Sequence, residues 1–227
     1  VANGAVLQLN AQSTSGNLQI DGSGTFRQMN TAQLNFSAAT VMSGGVMTHA
    51  ANASARNASV NMNGSGDFDL QAGANIAVNR MGYAGGGLNS IGKGPGGGGA
   101  YNTGIQAGAG GGHGGNGGAA AGNSSGGGVG YDSTTNPTDL GSGGGSGDGS
   151  VGGGAGGGAV LLNVGGTFTL NGTINADGGS GGGGGPTRAS GGGAGGTVNL
   201  TAAALTGSGV LRASGGAGGT GNYLGGG

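Results

Sequence analysis

The chain has 227 residues, of which 70 are glycine, and its six Lys and Arg against seven Asp leave a net charge of −1. No basic surplus is present to hold nucleic-acid phosphates, and the absence of Cys excludes a disulfide framework and a cysteine metal site. No apolar run approaches the ~18 residues of a membrane-spanning helix, Glu is missing and strong helix formers are few, and three Pro without a Gly-x-y register exclude collagen.

In chain order, short segments with period-2 alternation come first, the signature of half-buried strands. Val6–Asn10, Asn17–Ile20 and Thr25–Arg27 form a first group of three. Gln33–Phe36, Thr40–Met42 and Gly45–Thr48 form a second, and Val60–Asn63, Asp67–Leu70 and Asn75–Val78 a third. The leading strands of these groups start 27 residues apart. After the glycine-rich stretch 82–158 the pattern resumes with Val160–Val164, Thr167–Leu170 and Thr173–Ala176, then Val198–Thr201, Ala204–Thr206 and Val210–Ala213. Three strands per unit, repeated five times, predict an all-β fold: a parallel β-helix of about five coils. A sandwich is the competing fold, but Asn-Gly turns fall within the coil pattern rather than between longer strands.

The alternation predicts which residues face inward. Leu7, Leu9, Leu34, Phe36, Val60, Met62, Leu162 and Leu200 are expected on the first face, and Leu18, Ile20, Val41, Phe68, Leu70, Phe168, Leu170 and Leu205 on the second. Phe26, Ile76, Val78, Ile174, Ala176 and Leu211 are expected on the third, with Arg27, Met47, Ala77, Asn175 and Arg212 pointing outward there.

Residues 1–81 hold nine glycines, 82–158 hold 36, and 159–227 hold 25 in clusters. The organisation read from this is 1–81 as coils 1–3, 82–158 as a glycine-rich insertion, and 159–227 as coils 4–5 with shorter glycine-rich excursions. Three excursions leave after a third strand, so they stack on one side. Glycine can adopt an extended three-residue-per-turn form whose N–H and C=O groups point sideways to neighbours. An ordered polyglycine-II-like layer is therefore expected rather than a flexible linker.

The run from Tyr131-Asp132-Ser133 through Pro137–Gly145, then Gly156–Leu162 and Leu170–Gly179, resembles the repeats of large secreted glycine-rich β-helix surface proteins of bacteria. The resemblance covers roughly residues 59–227. It implies an adhesin, fibre or matrix role at the cell surface, and it carries no catalytic residue. More loosely, the glycine tract is similar to the polyglycine-II bundles of phage tip adhesins and of a glycine-rich antifreeze protein, from which it departs in lacking cysteines and a strict tripeptide register.

Enzyme chemistry finds little support in the residues. Asp67 and Asp69 share an outward face, but no Lys or Arg stands in the matching positions of adjacent coils, and glycosidic chemistry needs two carboxylates across one cleft. His49 and His113 read as surface residues. Gly143–Val151 only partly matches a calcium nonapeptide, with Ser146 and Ser150 in place of Gly and an apolar residue. Seven N-x-Ser/Thr sequons, at Asn35, Asn52, Asn57, Asn63, Asn123, Asn171 and Asn199, matter only in a glycosylating pathway.

Tyr83, Tyr101, Tyr131 and Tyr223 all fall in glycine-rich tracts. Tyr83 and Tyr101 are expected to pack on the β-helix flank, while Tyr131 and Tyr223 are candidate surface contacts. No catalytic, cofactor-binding or metal residue is expected.

The expected function is that of an extracellular structural or adhesive protein that self-assembles end to end into a fibre or forms part of a longer surface fibre, a homo-oligomer or filament built by end-to-end stacking, with a cell-surface or glycan target. It has no nucleic-acid partner and does not insert in a membrane. The alternatives are a glycan- or ice-binding module and, more remotely, a polysaccharide-active enzyme. The chain opens directly on a strand, so a mature or excised chain is expected.

Overall fold

A computed structural model describes residues 1–10, 16–100, 107–121, 126–147, 152–183 and 185–227. The described residues contain strands and no helix: β1 (Val6–Leu9), β2 (Asn17–Ile20), β3 (Thr25–Gln28), β4 (Leu34–Phe36), β5 (Ala38–Val41), β6 (Val46–His49), β7 (Val60–Gly64), β8 (Phe68–Leu70), β9 (Asn75–Ala77), β10 (Ala159–Leu170), β11 (Thr173–Asn175), β12 (Gly185–Arg188), β13 (Thr197–Thr206), β14 (Val210–Arg212) and β15 (Gly221–Tyr223).

They build two large all-parallel sheets in a β-solenoid-like arrangement. One runs β1-β3-β6-β9-β11-β14, and the other joins β2, β5, β8, β10, β7 and β4, with β13 on the outside of β10. A small parallel pair, β12–β15, lies in the glycine-rich part. The second large sheet contains two of the expected faces. β10 pairs with β7 through Val160–Val164 and with β8 through Phe168–Leu170, so one strand turns the corner between them. Its register shifts between Val164 and Thr167, where Gly165 and Gly166 let the chain bend.

The first strand stands in a different column from the one expected. Val6–Leu9 pairs with Thr25–Gln28, on the third face, not with the strand around Leu34. Alternation looks the same on every face, so the 27-residue spacing carried no information about which face a strand joins. Met47 is likewise moved: it lies between Phe26 and Ile76 on the inward row and is fully buried, and Thr48 takes the outward place beside Arg27.

The core is one continuous column. Phe36, Phe68 and Phe168 stack edge to face at 5.8 and 5.1 Å, and Ile20, Val41, Leu70, Met62, Ile76 and Ile174 fill the rest. Burial fails only at the two ends. Leu7 is 41% exposed at one end; Leu205 and Leu211 are 57% and 46% exposed at the other. Leu9 and Leu200 are half-buried. All five occupy inward positions, but no further rung covers them.

Polar side chains fix the outside and one corner. Asn163 donates to Asn63 (2.7 Å) and Asn63 to Asn35 (3.0 Å), a ladder along the first face. At the corner between the third and first faces, Gln28 and His49 occupy neighbouring inward positions. Gln28 Oε1 accepts from the Asn61 N–H, and His49 Nε2 from the Ala159 N–H (3.2 Å). Each satisfies an amide of a coil that begins after a long connection.

The glycine-rich excursions pack into an ordered layer. Within 141–146, the N–H groups of Gly141 and Gly144 donate to Gly157 and Gly154, while those of Gly143 and Ser146 donate to Lys93 and Ser90. The carbonyls of Ser142 and Gly145 accept from Ala194 and Gly191. These bonds are 2.8–3.1 Å long. One segment thus addresses three neighbours, returning to each after three residues. The same interval recurs where Gly108 and Gly111 donate to Ala189 and Gly192, and where Gly178 and Gly181 donate to Ser214 and Ala217.

Side chains are excluded by contact. A Cβ on Gly144 would lie 2.2 Å from the Gly191 oxygen, and one on Gly156 would lie 1.8 Å from that of Gly141. Alanine and serine enter where space exists: Ala109, Ala189, Ser142 and Ser190 are fully buried between segments.

Candidate functional site

The candidate contact residue Tyr131 lies where the glycine layer meets the solenoid. The segment 130–140 arches over this seam and is tied down by Asp132. The Asp132 Oδ2 atom accepts from the N–H groups of Thr138 (2.8 Å) and Asp139 (2.7 Å), and Oδ1 accepts from Ser133 (2.8 Å). Burial works to raise this carboxyl, but the N–H groups of Asp139, Ser133 and Thr138 and the His113 ring outweigh it and hold it below the usual carboxylate range.

His113 is buried rather than on the surface. One ring nitrogen faces the Gly195 carbonyl at 3.0 Å and the other faces Asp132 at 3.4 Å. The ring lies against Tyr131, centroids 5.0 Å apart. The Tyr131 hydroxyl donates to the Leu140 carbonyl and accepts from Ser142 Oγ. Burial pushes its pKa up.

Behind them Tyr83, Leu140 and Ala159 form a small apolar cluster. Burial, followed by the charge of Asp139 and the bond to it (3.0 Å), raises the Tyr83 hydroxyl to about 12. Tyr83 therefore packs at the seam, in the manner expected of it.

A groove of about 660 Å³ borders this seam, lined among others by His113, Asn116, Tyr131, Asp132, Ser133 and Thr197. Its polar atoms are largely committed to the protein. Asn116 Oδ1 accepts from the Gly130 N–H, Thr197 Oγ1 donates to the Asp139 carbonyl, and the Tyr131 hydroxyl is turned inward. The arrangement fastens the arch more than it presents groups to a ligand.

Tyr223 sits elsewhere, in strand β15 rather than in an irregular tract, half-buried against Ala107, Ala109 and Ala120. The two candidate tyrosines thus lie in separate parts of the glycine layer, each half-buried. Tyr101, the last four residues of the calcium-like segment (148–151, Asp148 among them) and the Asn123 sequon lie outside the described residues.

His49 also departs from expectation. It is fully buried, with Nδ1 donating to the Ala50 carbonyl (2.7 Å). Burial lowers its pKa to about 4, against the backbone bond to Ala50 and helped by the charge of Arg56. Sequence alternation had a signal for this, since His49 follows Phe26's row by two on its face, but a polar residue at an inward position reads as a loop residue until its amide partner is known.

Asp67 and Asp69 line an outward depression of about 540 Å³ with Gln71, Thr167, Thr169, Asn171 and Ser208. Asp67 Oδ1 accepts from the Thr167 N–H at 2.7 Å, and Asp69 Oδ2 accepts from Gln71. No group of three or more His, Cys, Asp or Glu that could hold a metal occurs among the described residues. Among the sequons, Asn52 is buried and bonded to Asn57, Ala58 and Met81, whereas Asn57 and Asn171 are exposed.

The surfaces least satisfied by the chain itself are the two ends of the solenoid. Among the described residues, β1 pairs only with β3, β14 only with β11, and β13 only with β10. Each edge carries backbone donors and acceptors beside exposed apolar residues: Val6 and Leu7 at one end, Leu205, Val210 and Leu211 at the other. No described helix is long and apolar enough to cross a membrane. Comparison with protein-family models, with curated proteins and with solved structures finds no match for the chain.

Proposed function

We propose that the chain is an extracellular structural or adhesive protein: a three-faced parallel β-helix of about five coils, flanked by a polyglycine-II bundle, that extends end to end by stacking on a second copy of itself into a fibre at the cell surface. The observation that carries this is the exposure of Leu7, Leu205 and Leu211, which sit at inward positions yet meet solvent at open strand edges. Their interior counterparts in the same rows, Phe26, Phe168 and Ile174, are fully buried. A further rung is what completes such a surface, and contact between unlike ends propagates rather than closes.

The three-residue hydrogen-bond interval supports the polyglycine-II reading of the layer. No catalytic residue is assigned. The resemblance to secreted glycine-rich surface proteins supports the location and the adhesive role.

A second reading, a glycan- or ice-binding face, draws on one outward row of the second face: Gln19, Thr40, Asp69, Thr169 and Thr206 stand in register. Three threonines in five rungs favour it, and the two other residues interrupt it. The fibre reading is tested by light scattering and negative-stain microscopy over a concentration series. Rods that lengthen with concentration support it; a chain that stays monomeric at high concentration refutes it.

A further inference from the structure

We infer that the end-to-end contact is an in-register parallel strand addition on the third face, with β1 of one copy laid on β14 of the preceding copy: Val6 beside Val210, Leu7 beside Leu211, Gln8 beside Arg212. This rests on the stacking reading and adds its register. The third face provides the template. Its inward row runs Leu7, Phe26, Met47, Ile76, Ile174, Leu211, apolar at every rung. Only the first and last members are exposed.

One backbone bond marks the register at every interior junction. The N–H of a strand's first residue donates to the carbonyl of the residue just before the preceding strand. Thr25 donates to Ala5 (2.8 Å), Val46 to Gly24 (2.9 Å), Asn75 to Gly45 (3.0 Å), Thr173 to Ala74 (3.0 Å) and Val210 to Gly172 (3.0 Å). Continuing the series, the Val6 N–H of the next copy donates to Gly209.

Other registers lose on chemistry. A slip of one residue turns Leu7 to the outside. A slip of two in one direction sets Leu7 over Gly209, which has no side chain to meet it. In-register stacking also places neutral Gln8, not a cation, over Arg212, whose guanidinium is already paired with Asp177 at 2.8 Å. On the second face, Val1 lies along β2, where its carbonyl accepts from the Asp21 N–H (2.9 Å) and its side chain packs against the core. Bonded to Gln19 and Asp21, it stands beside Ile20 and so continues the inward row of Val41, Leu70 and Leu170, two positions along from that of Leu205.

The test uses the absence of cysteine in the chain. Val6→Cys and Val210→Cys are made separately, mixed, assembled and oxidised. Adjacent parallel strands place these outward positions about 5 Å apart, within disulfide range, so the 20.4-kDa band shifts to a heterodimer. The mixture of Val6→Cys with Arg212→Cys stays monomeric on the gel. Filaments that form while the first pair fails to link, or that link better through the second, overturn the register but leave stacking intact; no filaments from the unsubstituted chain overturn both. Hydrogen exchange on the unsubstituted chain supplies a readout independent of the variants: the Val6 amide slows on assembly, and an unchanged rate in filaments overturns the inferred bond to Gly209.

Discussion

Replacing Gly144 by alanine tests whether the glycine layer is a packed solid. Its Cβ would meet the carbonyl oxygens of Gly191 and Gly192 at 2.2 and 2.4 Å, and both are backbone atoms with no rotamer to change. Ordinary contact requires the segment around Gly191 to retreat by more than about 1 Å. That displacement stretches two bonds out of range, Gly191 N–H to Gly145 and Ala194 N–H to Ser142, now 2.9 and 2.8 Å. Two buried backbone bonds at about 1–1.5 kcal/mol each, with overpacking of about 1–3 kcal/mol, give a loss of roughly 3–6 kcal/mol. Gly114→Ala is the control, because nothing lies within 4 Å of its Cβ and its φ is not positive; it should stay within about 0.5 kcal/mol. Urea midpoints, read with hydrogen exchange over residues 189–196, measure both. Equal midpoints, with exchange in that segment already at random-coil rates in the parent chain, would refute the packed layer.

Phe168→Ala removes a ring that stacks on Phe68 inside the column and should cost about 3–5 kcal/mol in thermal or urea unfolding. Asp67→Asn should change little, since the amide oxygen can still accept from the Thr167 N–H. His49 makes stability depend on pH. Its folded pKa, about 4, lies below the ordinary 6.5, so the unfolded chain binds the extra proton first. Stability is therefore full above pH 6.5 and declines by about 3 kcal/mol as pH falls toward 4. His49→Gln should remove that decline while preserving the fold, because Gln28 already performs the same amide-accepting task one rung away; unfolding at pH 7 and pH 4.5 checks it.

The strands and inward rows were legible because Leu34, Phe36, Met62, Phe68, Leu70 and Ile174 alternate with polar residues, and a buried face imposes that period. Which face the Val6 strand joins was not legible, since alternation carries no label for face. The choice is made by backbone pairing to Thr25–Gln28. His49 and Gln28 escaped for another reason. Each is polar at an inward position, and only the three-dimensional path brings the amides of Ala159 and Asn61 to them.

The order in the glycine layer was readable in outline from the shared point of departure of the excursions. Its pairings were not, because identical glycines carry no side-chain marker of register. Tyr131 looked like a contact residue because it sits in a polar, glycine-rich arch. Its hydroxyl instead serves the Leu140 carbonyl beneath that arch.

The arrangement of excursions predicts a repeat along the proposed fibre. On the third face, β9, β11 and β14 each lead into the glycine layer, whereas β3 and β6 lead into connections that return directly to the solenoid. A copy therefore contributes six rungs to that face, and the last three bear the glycine-rich segments. Stacked in register at about 4.8 Å per rung, six rungs span about 29 Å. The glycine layer should then appear as a row of blocks with that spacing, not as a continuous ridge. Fourier transforms of filament images should show an axial reflection near 29 Å together with the rung spacing near 4.8 Å. Stacking that skipped or shared a rung would move the first reflection by about 5 Å and leave the second unchanged, and a uniform ridge without the longer repeat would mean that the layer spreads along the solenoid beyond the coils from which it departs.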